Sequence, residues 1–169
     1  MQIAPFPTEQ FYARYEFSTP HLLSVSDCET VSVGELLALA GQTPDDLASL
    51  RLHYTDSQGD PVLRAAIAAL YDNIAADDII VLTSPEEGIF LTMHALLEPG
   101  DEAIVLTPAY DSLYNLAQHV SGAACKWPLR HATADDGTPG WALDIEALDA
   151  LIGARTRLIV VNFPHNPTG

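Results

Sequence analysis

The sequence predicts an α/β protein, a three-layer α/β/α arrangement around a largely parallel sheet. Three observations carry this. Short runs that are apolar at every position, Ile79-Ile80-Val81-Leu82, Ala103 to Leu106 and Leu158-Ile159-Val160-Val161, have the length and content of buried strands. Between them lie stretches of helical periodicity, notably Glu86 to Leu97 and Asp111 to Val120. A strand that is apolar on both faces needs cover on both, which helices crossing between parallel strands supply. Composition agrees: 48% hydrophobic and 18% charged residues in a 169-residue chain suit one ordinary domain with a buried core.

Taken in order, residues 1–30 read as an irregular arm, broken by Pro5, Pro7 and Pro20 and carrying scattered aromatics. Ser32-Val33-Gly34-Glu35 is a capping-box pattern that opens a helix ending at Gly41. Thr43-Pro44-Asp45-Asp46 opens a second short helix, with proline at its first position. Asp60-Pro61 starts a third, to about Tyr71, with Leu63, Ile67 and Leu70 at helical spacing. Ala123 to Trp127 is a weaker strand, His131 to Gly140 a surface loop, and Asp144 to Ile152 a helix. The expected organisation is an arm with short helices over 1–50 and the front part of a larger sheet domain over 51–169. A complete doubly wound domain continues from a core strand into a covering helix. The turn at Pro164 to Gly169 is therefore expected to mark a truncation.

Charge excludes some classes of function. Seven Lys and Arg against 23 Asp and Glu leave a formal charge of −16. Such a surface repels phosphate backbones and anionic lipid, so neither nucleic acid nor membrane is an expected partner. No apolar run approaches the roughly 20 residues that span a bilayer, and the N-terminus lacks a secretion pattern. The expected location is the cytoplasm. Cys28 and Cys125 match no metal or redox spacing, and the six histidines are scattered, so no metal site is expected. Neither Gly-x-Gly-x-x-Gly, Gly-x-x-x-x-Gly-Lys nor Gly-x-Ser-x-Gly occurs.

In an open α/β sheet, ligands sit beyond the carboxyl ends of the strands. Three features fall there: Thr83-Ser84-Pro85-Glu86-Glu87-Gly88, Thr107-Pro108-Ala109-Tyr110, and Asn162 to Gly169. Singly, Asn166-Pro167 reads as an ordinary turn, and Tyr110 and Tyr54 as core or surface aromatics.

As an ordered set they say more. Tyr54, Gly59-Asp60-Pro61, Leu63-Arg64 and Ala66-Ile67-Ala68 come first. Leu96-Leu97-Glu98-Pro99-Gly100-Asp101-Glu102, Pro108-Ala109-Tyr110 and His165-Asn166-Pro167-Thr168-Gly169 follow. In order and approximate spacing over 54–169 this resembles the aminotransferase class I/II family of fold-type I pyridoxal-phosphate enzymes.

The resemblance implies that 51–169 is the incomplete front of a large cofactor-binding domain, with 1–50 belonging to a small domain. It implies pyridoxal 5'-phosphate as cofactor, amino acids and 2-oxo acids as substrates, and a homodimer when full length. Asn166 would donate a hydrogen bond to the phenolic oxygen of the cofactor, and Tyr110 would stack on its ring. Tyr54 would reach the phosphate, usually across a dimer interface. Ser84 would cradle that phosphate with the first turn of the following helix, which contains Pro85 and Glu86. Asn166-Pro167 and Thr107-Pro108 would be cis.

The match departs from the family at one loop and stops short of other motifs. The family's Gly-Ala-x-Glu-Ala phosphate loop is here Ser84-Pro85-Glu86-Glu87-Gly88; Pro85 has no N–H, and Glu86 adds negative charge. The aspartate that pairs with the ring nitrogen, a later tyrosine, the Schiff-base lysine and a substrate-clamping arginine have no counterparts in these residues. The single lysine, Lys126, precedes the Asn166 motif instead of following it. No catalytic residue is therefore expected within the chain, which alone should be inactive. Transamination is the leading activity for the full-length protein. A lyase or cyclising synthase on the same fold, or a non-catalytic remnant or interaction module, are the alternatives.

Overall fold

The computed structural model describes residues 3–24, 28–133 and 136–169. The chain divides into two compact units, one of residues 1–18 with 83–169 and one of residues 19–82. The first helix therefore belongs with the sheet and not, as the sequence suggests, with the short helices before residue 50.

The sheet unit contains α1 (Pro7–Tyr15), α5 (Pro85–Leu96), β1 (Glu102–Thr107), α6 (Asp111–Ser121) and β2 (Ala124–Pro128). After these come β3 (Arg130–Thr133), β4 (Pro139–Ala142), α7 (Ile145–Leu151) and β5 (Thr156–Val160). Three strands form a parallel sheet in the order β2-β1-β5, Ile104 standing opposite Cys125 on one side and Ile159 on the other. The central strand β1 is buried from Ala103 to Leu106, which is why that run carries no polar residue. Its side chains alternate between the faces. Ala103 and Val105 meet Met93, Leu97, Leu116 and Ala117 from the α5 and α6 side. Ile104 and Leu106 join Trp127 beneath Ala147, Leu148 and Leu151 of α7. These are the three layers that the apolar runs predict.

The turn into β1 explains its Pro-Gly-Asp-Glu sequence. The Asp101 carboxylate accepts the Glu98 N–H at 2.9 Å, and the Asp101 N–H returns to the Glu98 carbonyl at 3.0 Å. Gly100 stands at φ +101°, a conformation that a side chain disfavours.

The second unit carries α2 (Val33–Leu39), α3 (Pro44–Ser49), α4 (Pro61–Ala68) and a single 3-10 turn (Ala76–Asp78). The capping box at Ser32 forms as expected, with Glu35 N–H to Ser32 Oγ at 3.2 Å and Ser32 N–H to the Glu35 carboxylate at 2.7 Å. Arg64, 6% exposed, donates twice to the Ala76 carbonyl, at 3.0 and 2.9 Å, and once to Asp77 at 2.9 Å. That arginine thereby ties α4 to the turn. Gly59 has φ +109°, and a Cβ there would fall 2.6 Å from the Val81 side chain.

Three expectations are corrected. Residues 1–30 include the helix α1, because Pro7 occupies the first helical position, where its missing N–H costs nothing. Ile79 to Leu82 is extended but pairs with no strand among the described residues; Val81 N–H instead donates to the Gln58 carbonyl at 2.8 Å. The stretch from His131 to Gly140 is not a plain loop. β3 and β4 pair antiparallel there, Arg130 opposite Ala142 and Thr133 opposite Pro139. Among the described residues, no helix is long and apolar enough to cross a membrane. Both cysteines are unpaired.

Candidate functional site

A cavity of about 500 Å³ opens beyond the carboxyl ends of β1 and β5, against the N-termini of α5 and α6. Its lining includes Ser84, Pro85, Glu86, Tyr110 and Asn166, with Ile89, Leu113 and Val161 as apolar walls. The three loops singled out after the strand-like runs therefore converge on one space. Tyr54 belongs to the other unit, and its side chain is fully exposed.

Ser84 is the N-cap of α5. Its Oγ accepts the Glu87 N–H at 3.2 Å, while the Glu87 carboxylate accepts the Thr83 N–H at 2.7 Å. The serine acts as acceptor in this cap, so its own hydroxyl hydrogen can still donate to a ligand. Pro85 follows at the first helical position and brings no N–H, leaving Glu86 as the next backbone donor of the turn. The positive end of the helix dipole thus meets the cavity, with the Glu86 carboxylate close beside it.

Tyr110 is the N-cap of α6 in an extended backbone conformation, after the cis Thr107–Pro108 bond. Its hydroxyl donates to the carboxylate of Glu9 on α1. That bond, then partial burial, then the charges of Glu9, Glu86 and Asp111 push the phenol above the usual tyrosine range. Tyr110 therefore keeps its phenolic proton at neutral pH.

Asn166 lies in the loop after β5 and is exposed. The loop is closed by Gly169 N–H to the His165 carbonyl at 2.5 Å and by a 2.8 Å bond between His165 Nδ1 and Thr168 Oγ1. His165 is buried and anchors the turn, so Asn166 is presented and not consumed internally. Asn166–Pro167 is cis as expected, and so is Phe163–Pro164, which the sequence reading did not anticipate.

Lys126 is exposed on β2, its ammonium 4.9 Å from the Tyr114 ring centroid, and it does not line the cavity. The sequence reading missed Glu9, whose partner lies 101 residues away with no local pattern to reveal it. It also missed Ile89, Leu113 and Val161 as walls; each follows a singled-out loop or strand at helical or strand spacing.

The cavity suits a small molecule. Its volume is within the roughly 300–1,000 Å³ of small-molecule sites, and it combines apolar walls with few polar groups. Pyridoxal phosphate fits that donor set. The ring would lie against Tyr110, its phenolic oxygen near the Asn166 amide, and its phosphate at the Ser84 hydroxyl and the α5 N-terminus.

Residues 23–169 match the family described as aminotransferase class I and II. Capreomycidine synthase of Streptomyces vinaceus is 37% identical over 165 residues, covering 96% of this chain and 41% of that protein. A pyridoxal-phosphate-dependent aminotransferase from Streptococcus suis superposes with a TM-score of 0.85 at 26% identity, over 99% of this chain and 44% of the other. The pyridoxal-phosphate-dependent cyclase OrfR superposes with a TM-score of 0.82 at 29% identity, over 100% of this chain and 43% of the other. The chain thus spans less than half the length of these relatives.

Proposed function

Since the chain belongs to the aminotransferase class I and II family, we propose that the whole protein transfers an amino group between an amino acid and a 2-oxo acid. Its cofactor is pyridoxal phosphate. The observation that carries this reading is the meeting of Ser84, Tyr110 and Asn166 on one cavity at the strand ends.

When bound, pyridoxal phosphate supplies an electron-withdrawing ring that stabilises negative charge at the α-carbon of an amino acid. The chain's own residues bind and orient. Tyr110 offers its ring face as a platform and keeps its proton. The Asn166 amide donates to the phenolic oxygen and favours its ionised form. Ser84 donates its hydroxyl to the phosphate, assisted by the Glu86 N–H and the dipole of α5. Ile89, Leu113 and Val161 keep water from the ring's edge. Tyr54, fully exposed on its unit, is assigned to the phosphate of a second subunit in a homodimer. Covalent attachment of the cofactor is assigned to a lysine beyond these residues, because Lys126 stands outside the cavity.

A second reading is a cyclising synthase on the same scaffold. It is supported by the 37% identity to capreomycidine synthase over 165 residues. Incubating the whole protein with amino acids and 2-oxo acids separates the readings. A new amino acid formed from the 2-oxo acid supports transfer. A ring-closed product with the 2-oxo acid unconsumed supports the synthase.

A further inference from the structure

We propose that Glu9 on α1, which does not itself line the cavity, is a positioning residue for Tyr110, which does. The proposal rests on the reading of the cavity as the cofactor site, where Tyr110 is the ring platform.

Three polar links join residues 5–9 to residues 110–115. The Tyr110 hydroxyl donates to Glu9, the Thr8 N–H donates to Asp111 Oδ2 at 2.8 Å, and Asn115 Nδ2 donates to the Pro5 carbonyl at 3.1 Å. Ile3 and Phe6 pack against the core that includes Met93 and Leu116, so the arm is also anchored by apolar contact. Glu9 is therefore fixed to the same body as the ring it holds.

A first-turn glutamate has a simpler role, since an acid there is favoured by the helix dipole. That role needs no partner on α6, and Glu9 has one. Tyr110 stands at the N-cap of α6, partly buried, and its hydroxyl bond restrains both side-chain torsions. A ring held in one orientation binds a planar ligand without losing that freedom on binding. The groups facing the hydroxyl are all acidic: Glu9 from α1, Glu86 from α5 and Asp111 from α6. Removing Glu9 takes away the acceptor and one of these charges.

The test is a double-mutant cycle in the full-length protein, read as the dissociation constant for pyridoxal phosphate. Glu9→Ala is expected to weaken binding about five- to tenfold, the scale of one ordinary net hydrogen bond. Glu9→Gln, which keeps an acceptor, is expected to stay within about twofold of the unaltered protein. In a Tyr110→Phe background, Glu9→Ala is expected to have no further effect. The same loss in both backgrounds, or no loss with Tyr110 present, overturns the proposal. If neither Tyr110→Phe nor Asn166→Ala changes the affinity, the cofactor reading has failed. The link is then decided by ultraviolet titration of the cofactor-free protein. The Tyr110 phenol, isolated by subtracting the Tyr110→Phe titration, is expected to ionise at lower pH in Glu9→Ala; an unchanged ionisation overturns the proposal.

Discussion

Ser84 and Glu87 cap the same helix reciprocally: the Ser84 Oγ takes the Glu87 N–H, and the Glu87 carboxylate reaches back to Thr83 N–H. Ser84 thus closes α5 as an acceptor, and the proposed reading adds a second, separable duty, meeting an anion as a donor. Ser84→Ala removes both. It is expected to cost about 1 kcal/mol of stability, as N-cap losses do, and to weaken pyridoxal phosphate binding. Ser84→Asp keeps a good cap but sets a negative charge beside the phosphate. Its thermal midpoint is expected to stay near that of the unaltered protein while its affinity falls further than in Ser84→Ala. Equal affinities in the two variants would remove Ser84 from the phosphate site.

Glu86 puts a carboxylate at the end of α5 that the dipole makes attractive to anions. Glu86→Gln keeps the side chain's size and removes the charge. Affinity for pyridoxal phosphate is expected to rise about two- to fivefold at low ionic strength, and the gain to shrink as salt is added. A loss of affinity would mean that the carboxylate itself holds a ligand group.

Arg64 and Asp77 form an ion pair whose partners are unequal, the arginine side chain 7% exposed and the aspartate 97%. The arginine's bonds to the Ala76 carbonyl are shielded from water, while the aspartate is open to it. Arg64→Ala is expected to cost about 2–3 kcal/mol in urea denaturation, and Asp77→Ala less than about 1 kcal/mol. Comparable losses would show that the ion pair, and not the carbonyl bonds, ties the turn to α4.

Glu35 and Asp46 close the capping boxes of α2 and α3 and are held below their ordinary values of 4.5 and 3.8. For Glu35 the main cause is the bond from the Ser32 backbone, and for Asp46 the bond from the Thr43 side chain. A depressed carboxylate stabilises the folded form above its unfolded pKa, and that contribution is lost as pH falls through the folded pKa. Both helix starts are therefore expected to loosen on acidification below those ordinary values. Amide exchange at Glu35 and Asp46, the two N–H groups that the caps hold, should quicken as pH falls, after correction for intrinsic exchange rates. Glu35→Gln and Asp46→Asn, which remove the titrating carboxylates, should abolish the pH dependence.

Much of the sheet unit was legible because its determinants are local. β1 reads as a strand from Ala103 to Leu106 because no polar residue interrupts it, and burial on both faces is the reason. Tyr110 could be placed at a strand end because it follows β1, and Ser84 at a helix start because it follows an apolar run and opens α5. What stayed hidden depends on partners far along the chain. α1 looked irregular since Pro5 and Pro7 read as breakers, and what seats it are Asp111, Tyr110 and Asn115. Ile79 to Leu82 has the composition of a strand but lacks a pairing partner among the described residues, which composition does not reveal. The β3–β4 hairpin was obscured because Trp141 stands among Gly, Pro and Asp, residues that read as turn.

The most direct measurement is a crystal structure of the whole protein grown with pyridoxal phosphate. The expected result is cofactor density in the cavity, its ring against Tyr110, its phenolic oxygen within hydrogen-bond distance of Asn166 and its phosphate at Ser84. Density at any other place, with this cavity filled by solvent alone, would contradict the account.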